Sequence, residues 1–85
     1  MKECFKNKVV LITGAAQGIG LATAQEFAKA DATVIMSDVL DMTEQLKEHT
    51  EQGFKAVPYI CDVSDENQVQ KMIEDIVAEY GRLDC

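Results

Sequence analysis

Residues 9–30 read VVLITGAAQGIGLATAQEFAKA, and the fold turns on how the middle of that stretch is understood. Val9 to Ile12 is an unbroken, β-rich apolar run between polar Lys6 to Lys8 and a glycine turn, the pattern of a strand buried on both faces. From Gly18 the period changes. Ile19, Ala22, Thr23, Phe27 and Ala28 recur at helical spacing with Gln25, Glu26 and Lys29 between them, which predicts an amphipathic helix. A helix N-terminus offers unpaired N–H groups and a partial positive charge, so an anion is stabilised there if no side chain blocks its approach. In such a turn Gly14 serves the tight exit from the strand, Gly18 lets the main chain come near a pyrophosphate, and Gly20 lets helix and strand pack closely. Glycines that serve packing alone are the plainer alternative.

The rest of the chain repeats the alternation. Thr33 to Ser37 reads as a second strand ending at Asp38. Asp41 and Glu44 are spaced like a capping box, opening a short polar helix that Gly53 closes. A third strand is expected near Ala56 to Cys61, and because Pro58 has no N–H it belongs at a sheet edge. Ser64 or Asp65 caps a last helix with the stripe Val69, Met72, Ile73, Ile76, Val77 and Tyr80, ended by Gly81. Strands separated by helices pair in parallel through crossovers. The expected fold is therefore α/β, a partial Rossmann-like doubly wound unit of three parallel strands in the order 3-2-1 with flanking helices. No linker or repeat divides residues 1–85.

Composition narrows the function. At 47% apolar, with 15 acidic and 8 basic residues and a net charge of -7, the chain is expected to form a packed core and to repel nucleic acid and anionic membranes. Eighty-five residues make one small domain. Cys4, Cys61 and Cys85 show no metal-binding spacing and fit reduced thiols in a cytoplasm. No signal peptide or membrane-spanning stretch is evident, and no metal site is expected.

Asp38 carries the cofactor reading. It ends the second strand 18 residues after Gly20, where a carboxylate accepts hydrogen bonds from both ribose hydroxyls of an adenosine and repels a 2′-phosphate. Gln17 and Val39 provide no cation to neutralise that phosphate, so NAD is favoured over NADP. The alternative for Asp38 is a solvated strand end.

With these residues in view, the pattern T-G-x-x-x-G-I-G, here Thr13, Gly14, Gly18, Ile19 and Gly20, resembles the cofactor signature of the short-chain dehydrogenases and reductases. The segment CDVSDENQVQKMIEDIVAEYGRLD resembles the family's next segment, so the likeness spans the chain. It implies that Asp62 hydrogen-bonds the adenine amino group beside a backbone contact from Val63, with Gln17 and Ile19 along the pyrophosphate and nicotinamide side. The family's later N-N-A-G, catalytic Ser and Y-x-x-x-K are absent. Tyr59 is followed four residues on by Val63 and Tyr80 by Asp84, so neither gains the Lys that lowers a catalytic Tyr pKa, and both are expected to be structural.

The expectation is the NAD-binding portion of an oxidoreductase that moves a hydride between NAD(H) and a carbonyl or alcohol. This chain alone is expected to be inactive and to bind NAD weakly, with Kd around millimolar. The alternative is a non-catalytic nucleotide-binding or self-associating module. Because strand four is missing from the far side of Val9 to Ile12, a homodimer is expected, paired antiparallel along that strand. His49, the only histidine, is expected on the solvated face of the polar helix with Glu44, Glu48 and Glu51, and Cys61 in the core.

Overall fold

The three apolar runs become strands and the three periodic stretches helices. The computed structural model describes residues 6–84; Cys4 and Cys85, expected as free thiols, lie outside them. In chain order the elements are β1 (Val9–Thr13), α1 (Gly18–Lys29), β2 (Thr33–Asp38), α2 (Thr43–Glu51), β3 (Lys55–Ile60) and α3 (Glu66–Tyr80). The sheet runs β1-β2-β3, all parallel, with Val9 opposite Thr33 and Thr33 opposite Lys55. This is the expected partial doubly wound arrangement.

Alternate residues of each strand feed opposite faces. Val10, Val34 and Met36 meet Ala24, Ala28 and Met42 from the α1 and α2 side. Val9, Ile35 and Cys61 meet Met72 and Ile76 of α3 on the other. The central strand β2 is buried at Val34, Ile35, Met36 and Ser37, which explains its near-continuous apolar sequence. At roughly 25 cal/mol per Å² of apolar surface removed from water, such residues dominate the stability of the unit.

β1 and β3 are edges. The Cys61 N–H donates to the Asp38 carbonyl, so Tyr59 and Val57 share its orientation and Pro58 turns its missing N–H to the open side. On β1, the Thr33 N–H donates to the Lys8 carbonyl, so Val10 and Ile12 address β2 while Val9, Leu11 and Thr13 face outward. Leu11 and Ile12 are consequently only half-buried, against the expectation of a strand buried on both faces. The chain after α3 returns to this outer edge, where the Asp84 N–H donates to the Val9 carbonyl.

Four local expectations are corrected. The buried stripe of α1 runs through Ala24 and Ala28, with Leu21 and Phe27 partly buried, while Ile19 and Ala22 point to solvent, because the helix starts at the turn and only its later turns lie over the sheet. In α3, Met72 and Ile76 are buried but Ile73 and Val77 are exposed. Met42, not Asp41, takes the cap position of α2: its side chain is drawn into the core, and Asp41 Oδ1 accepts from the Thr43 N–H and hydroxyl. His49 is fully buried rather than solvated, its Nδ1–H donating to the Gln45 carbonyl at 2.8 Å and its ring edge-on to Phe54. The Asp65 cap of α3 is as expected, accepting from the Asn67 and Gln68 N–H groups.

Candidate functional site

The glycine turn divides two kinds of constraint among its residues. Gly14 and Gly18 have φ of +64° and +61°, a conformation that side chains disfavour, and a Cβ at either would meet nothing within 4 Å. Gly20 is the reverse: a Cβ there would stand 2.0 Å from the Gly14 carbonyl oxygen. The start of α1 is thus laid directly on the turn's own backbone, while the Gly14 and Gly18 side stays open. α1 has Gln17 at its cap with no side-chain cap bond and no acidic residue in its first turn. Its positive end is free to meet an anion.

Asp38 is tied to this turn. Its Oδ2 accepts the Ala16 N–H at 3.0 Å and its Oδ1 the Leu40 N–H at 3.1 Å. The Ala16 N–H foremost, with that of Leu40 assisting, holds the carboxyl below the usual carboxylate range, against the opposing effect of burial. It is therefore a charged acceptor at neutral pH with lone pairs remaining after these two bonds.

One strand further along, the Asp38 carbonyl accepts the Cys61 N–H, which places Asp62 and Val63 beside Asp38 at the same end of the sheet. Asp62 Oδ1 accepts the Ser64 hydroxyl at 2.7 Å and the Ser64 N–H at 2.9 Å, and these bonds lower its pKa, the hydroxyl contributing most. Its own N–H donates to Gln68 Oε1. Val63 is exposed.

The structure thus brings Gly14, Gln17, Gly18, Ile19, Gly20, Asp38, Asp62 and Val63 to the carboxyl ends of three adjacent parallel strands, where ligands of open α/β sheets bind. Exposed apolar side chains gather there too: Ile19 is 87% exposed, and Val39, Leu40, Ile60 and Val63 are also open to solvent. They stand at the same end of the sheet as the Asp38 and Asp62 carboxylates, so apolar and polar groups are both available to a ligand there. A groove of about 430 Å³ beside Val63, Val69 and Ile73 runs along the outer side of α3 and touches this end only at Val63.

An open cradle, an uncapped helix N-terminus and an oriented carboxylate fit a dinucleotide: the Gly14 and Gly18 side of the turn suits a pyrophosphate and Asp38 a ribose, while Gly20 lets α1 pack on the turn. Sequence reading missed the residues that hold the cradle. The Ala16 carbonyl accepts Gln45 Nε2 from α2 at 2.5 Å, and Ala15 donates to the Ser37 carbonyl at 3.1 Å. Gln45 lies on a polar helix, where only three-dimensional contact distinguishes it from a solvated residue.

Neither tyrosine stands in this site. Tyr59 donates to Asp75 Oδ2 at 2.5 Å, and this bond foremost, with burial and the Asp75 charge adding to it, pushes its pKa up to about 12. Tyr80 packs against the α3 face of the core, where burial raises its pKa. Among the described residues no cluster of His, Cys, Asp and Glu is arranged to hold a metal ion, and no helix is long and apolar enough to cross a membrane.

Comparison with known proteins agrees with this geometry. The family model described as short chain dehydrogenase matches residues 8–85. The chain is 42% identical over 82 residues to 3-oxoacyl-[acyl-carrier-protein] reductase FabG of Thermotoga maritima, covering 94% of this chain and 33% of that protein. It is 43% identical over 80 residues to tropinone reductase-like 2 of Erythroxylum coca, covering 94% and 29%. Among solved structures, the citronellol catabolism dehydrogenase AtuB of Pseudomonas aeruginosa PAO1 superposes with a TM-score of 0.92 at 27% identity, covering 98% of this chain and 36% of that one. The chain spans about a third of the length of these relatives.

Proposed function

Because the chain belongs to the short-chain dehydrogenase family, we propose that it forms the NAD-holding part of an oxidoreductase that transfers a hydride between nicotinamide and a carbonyl or alcohol. The observation that carries the reading is the Asp38 carboxylate fixed by the Ala16 N–H beside an uncapped glycine turn. Nicotinamide, when bound, supplies the hydride chemistry. The residues here bind and orient: the Gly14 to Gly20 turn and the N-terminus of α1 face the pyrophosphate, Asp38 accepts from the adenosine ribose, and Asp62 and Val63 border the adenine. A 2′-phosphate would meet the Asp38 charge with no cation at Gln17 or Val39, which favours NAD over NADP. The reduced-thiol composition suits a cytoplasmic setting.

The 85 residues hold no Tyr-x-x-x-Lys pair, and Tyr59 and Tyr80 are engaged elsewhere, so the chain by itself is expected to transfer no hydride. The test is a ¹⁵N-NMR titration with NAD and with NADP, beside an assay for NADH formation with secondary alcohols. Selective displacement of the Gly14 to Gly20, Asp38 and Asp62 amides by NAD supports the reading. Tighter binding of NADP, or no response at this end of the sheet, overturns it.

A second reading, self-association, is favoured by one observation: Leu11 and Thr13 turn outward on β1 backbone groups that have no partner among the described residues, while Val9 is held by Asp84. A homodimer along β1 would use that remaining edge. Light scattering at micromolar concentration tests it, with Leu11→Lys expected to return a dimer to monomer.

A further inference from the structure

Ala16 sits in the middle of the glycine turn and is almost completely buried, so water cannot serve its peptide groups. Both are held by protein. Its N–H donates to Asp38 Oδ2 at 3.0 Å, and its carbonyl accepts Gln45 Nε2 at 2.5 Å. Gln45 is itself anchored, because its backbone carbonyl accepts the Nδ1–H of buried His49 at 2.8 Å, and the His49 ring packs on Phe54. Three residues before Gln45, Met42 enters the same buried cluster as Ala15 and Ala16. α2 therefore presents Gln45 to the turn from a fixed base.

We propose that Gln45 is a positioning residue of the dinucleotide site: its amide holds the Ala16 carbonyl while Asp38 holds the Ala16 N–H, and so Gln45 helps set both the turn that faces the pyrophosphate and the carboxylate that faces the ribose. This rests on the reading of the turn as a dinucleotide cradle. The chemistry requires a donor at this position. A methionine of similar length leaves the buried Ala16 carbonyl without a partner, and a glutamate sets an anionic acceptor against it. With the Ala16 carbonyl released, the Gly14 to Gly20 backbone is less firmly set against Asp38, and a ligand that needs both suffers more than one that needs Asp38 and Asp62 alone.

The experiment uses the whole chain with Gln45→Met, Gln45→Glu and Gln45→Lys, the last restoring a donor of similar reach. Without ligand, amide hydrogen exchange at Ala16 is expected to quicken about 3- to 10-fold in the Met and Glu variants, to return toward wild type in the Lys variant, and to stay unchanged at Val34, Ile35 and Met36. With ligand, the NAD Kd of Gln45→Met is expected to rise about 3- to 10-fold and that of adenosine to stay within about twofold. Unchanged Ala16 exchange and NAD affinity overturn the proposal. So does a loss shared equally by adenosine and the β2 amides, which marks general destabilisation. A wild-type chain that binds no NAD overturns the functional reading, and this role with it, whereas a wild type that binds and a Met variant that binds equally well overturn the positioning role alone.

Discussion

Asp84 holds Val9 by both of its backbone groups: the Asp84 N–H donates to the Val9 carbonyl at 2.8 Å, and Asp84 Oδ2 accepts the Val9 N–H at 2.8 Å. The same carboxylate is clasped by Arg82, through Nε at 2.8 Å and Nη2 at 2.7 Å. A bidentate guanidinium thus orients the group that closes the outer edge of β1.

That clasp makes stability depend on acid. The Arg82 guanidinium first, and the Val9 N–H second, hold the Asp84 carboxyl down to about 2 from 3.8. A carboxyl lowered by folding stabilises the native state above its ordinary range, and the contribution disappears as pH falls through the folded value. Asp38, Asp41 and Asp62 are also held low and act in the same direction. Denaturant midpoints are therefore expected to fall between about pH 4 and pH 2, and Asp84→Asn should lower the neutral-pH midpoint while flattening that decline. An unaltered pH slope in the variant would contradict the assignment.

Gly18→Ala and Gly20→Ala should separate backbone strain from steric exclusion. At Gly18, with φ of +61° and open space around it, the cost expected is about 1–2 kcal/mol. At Gly20 the new methyl meets the Gly14 carbonyl, and overpacking of about 3 kcal/mol or more is expected, with movement of the turn. Urea denaturation measures both, and equal costs would refute the distinction.

Asp38→Asn keeps an acceptor for the Ala16 N–H and removes the charge. The NAD to NADP affinity ratio is expected to fall about tenfold, equivalent to roughly 1.4 kcal/mol, chiefly through better NADP binding. Calorimetry with both nucleotides reads it, and an unchanged ratio would assign the discrimination elsewhere.

Burial of His49 has a measurable consequence. His49→Ala leaves a cavity against Phe54 and is expected to cost about 2–4 kcal/mol, whereas Glu48→Ala, on the exposed side of the same helix, should stay within about 0.5 kcal/mol. Because Nε2 is buried without a hydrogen-bond partner among the described residues, His49→Phe should be tolerated far better than His49→Ala. Thermal denaturation ranks the three.

The alternation of β-rich runs and helical stripes was legible because strands covered by helices on two faces carry short continuous apolar runs, as Val9 to Ile12 and Val34 to Met36 do. The Asp65 cap and the Pro58 edge were equally readable, since each depends on a local chemical rule. His49 was not: a histidine amid Glu48 and Thr50 on a polar helix reads as solvated, and only the packing of α2 on Phe54 buries it. Ile73 and Val77 misled for the opposite reason, since a helical stripe wider than the sheet can cover leaves its outer margin exposed. In the site, Gly14, Gly18, Gly20 and Asp38 announce themselves by spacing, while Gln45 acts across 29 positions on a carbonyl that no side-chain pattern records.

The sheet follows chain order, and this bears on how it assembles. β1 meets β2 across 24 positions, Val9 to Thr33, and β2 meets β3 across 22, Thr33 to Lys55, so the two loop closures carry nearly equal entropic cost. Neither ladder has precedence by length. What distinguishes the strands is burial, and β2, sealed by neighbours on both edges and helices on both faces, gathers native interactions from all sides at once. The Val9 to Asp84 clasp spans 75 positions and joins only an edge, so it has least reason to form early. Substitutions at Ile35 or Met36 should therefore slow folding, and loss of the Asp84 carboxylate should chiefly quicken unfolding, which places the nucleus on the middle strand and the clasp on the native side of the barrier.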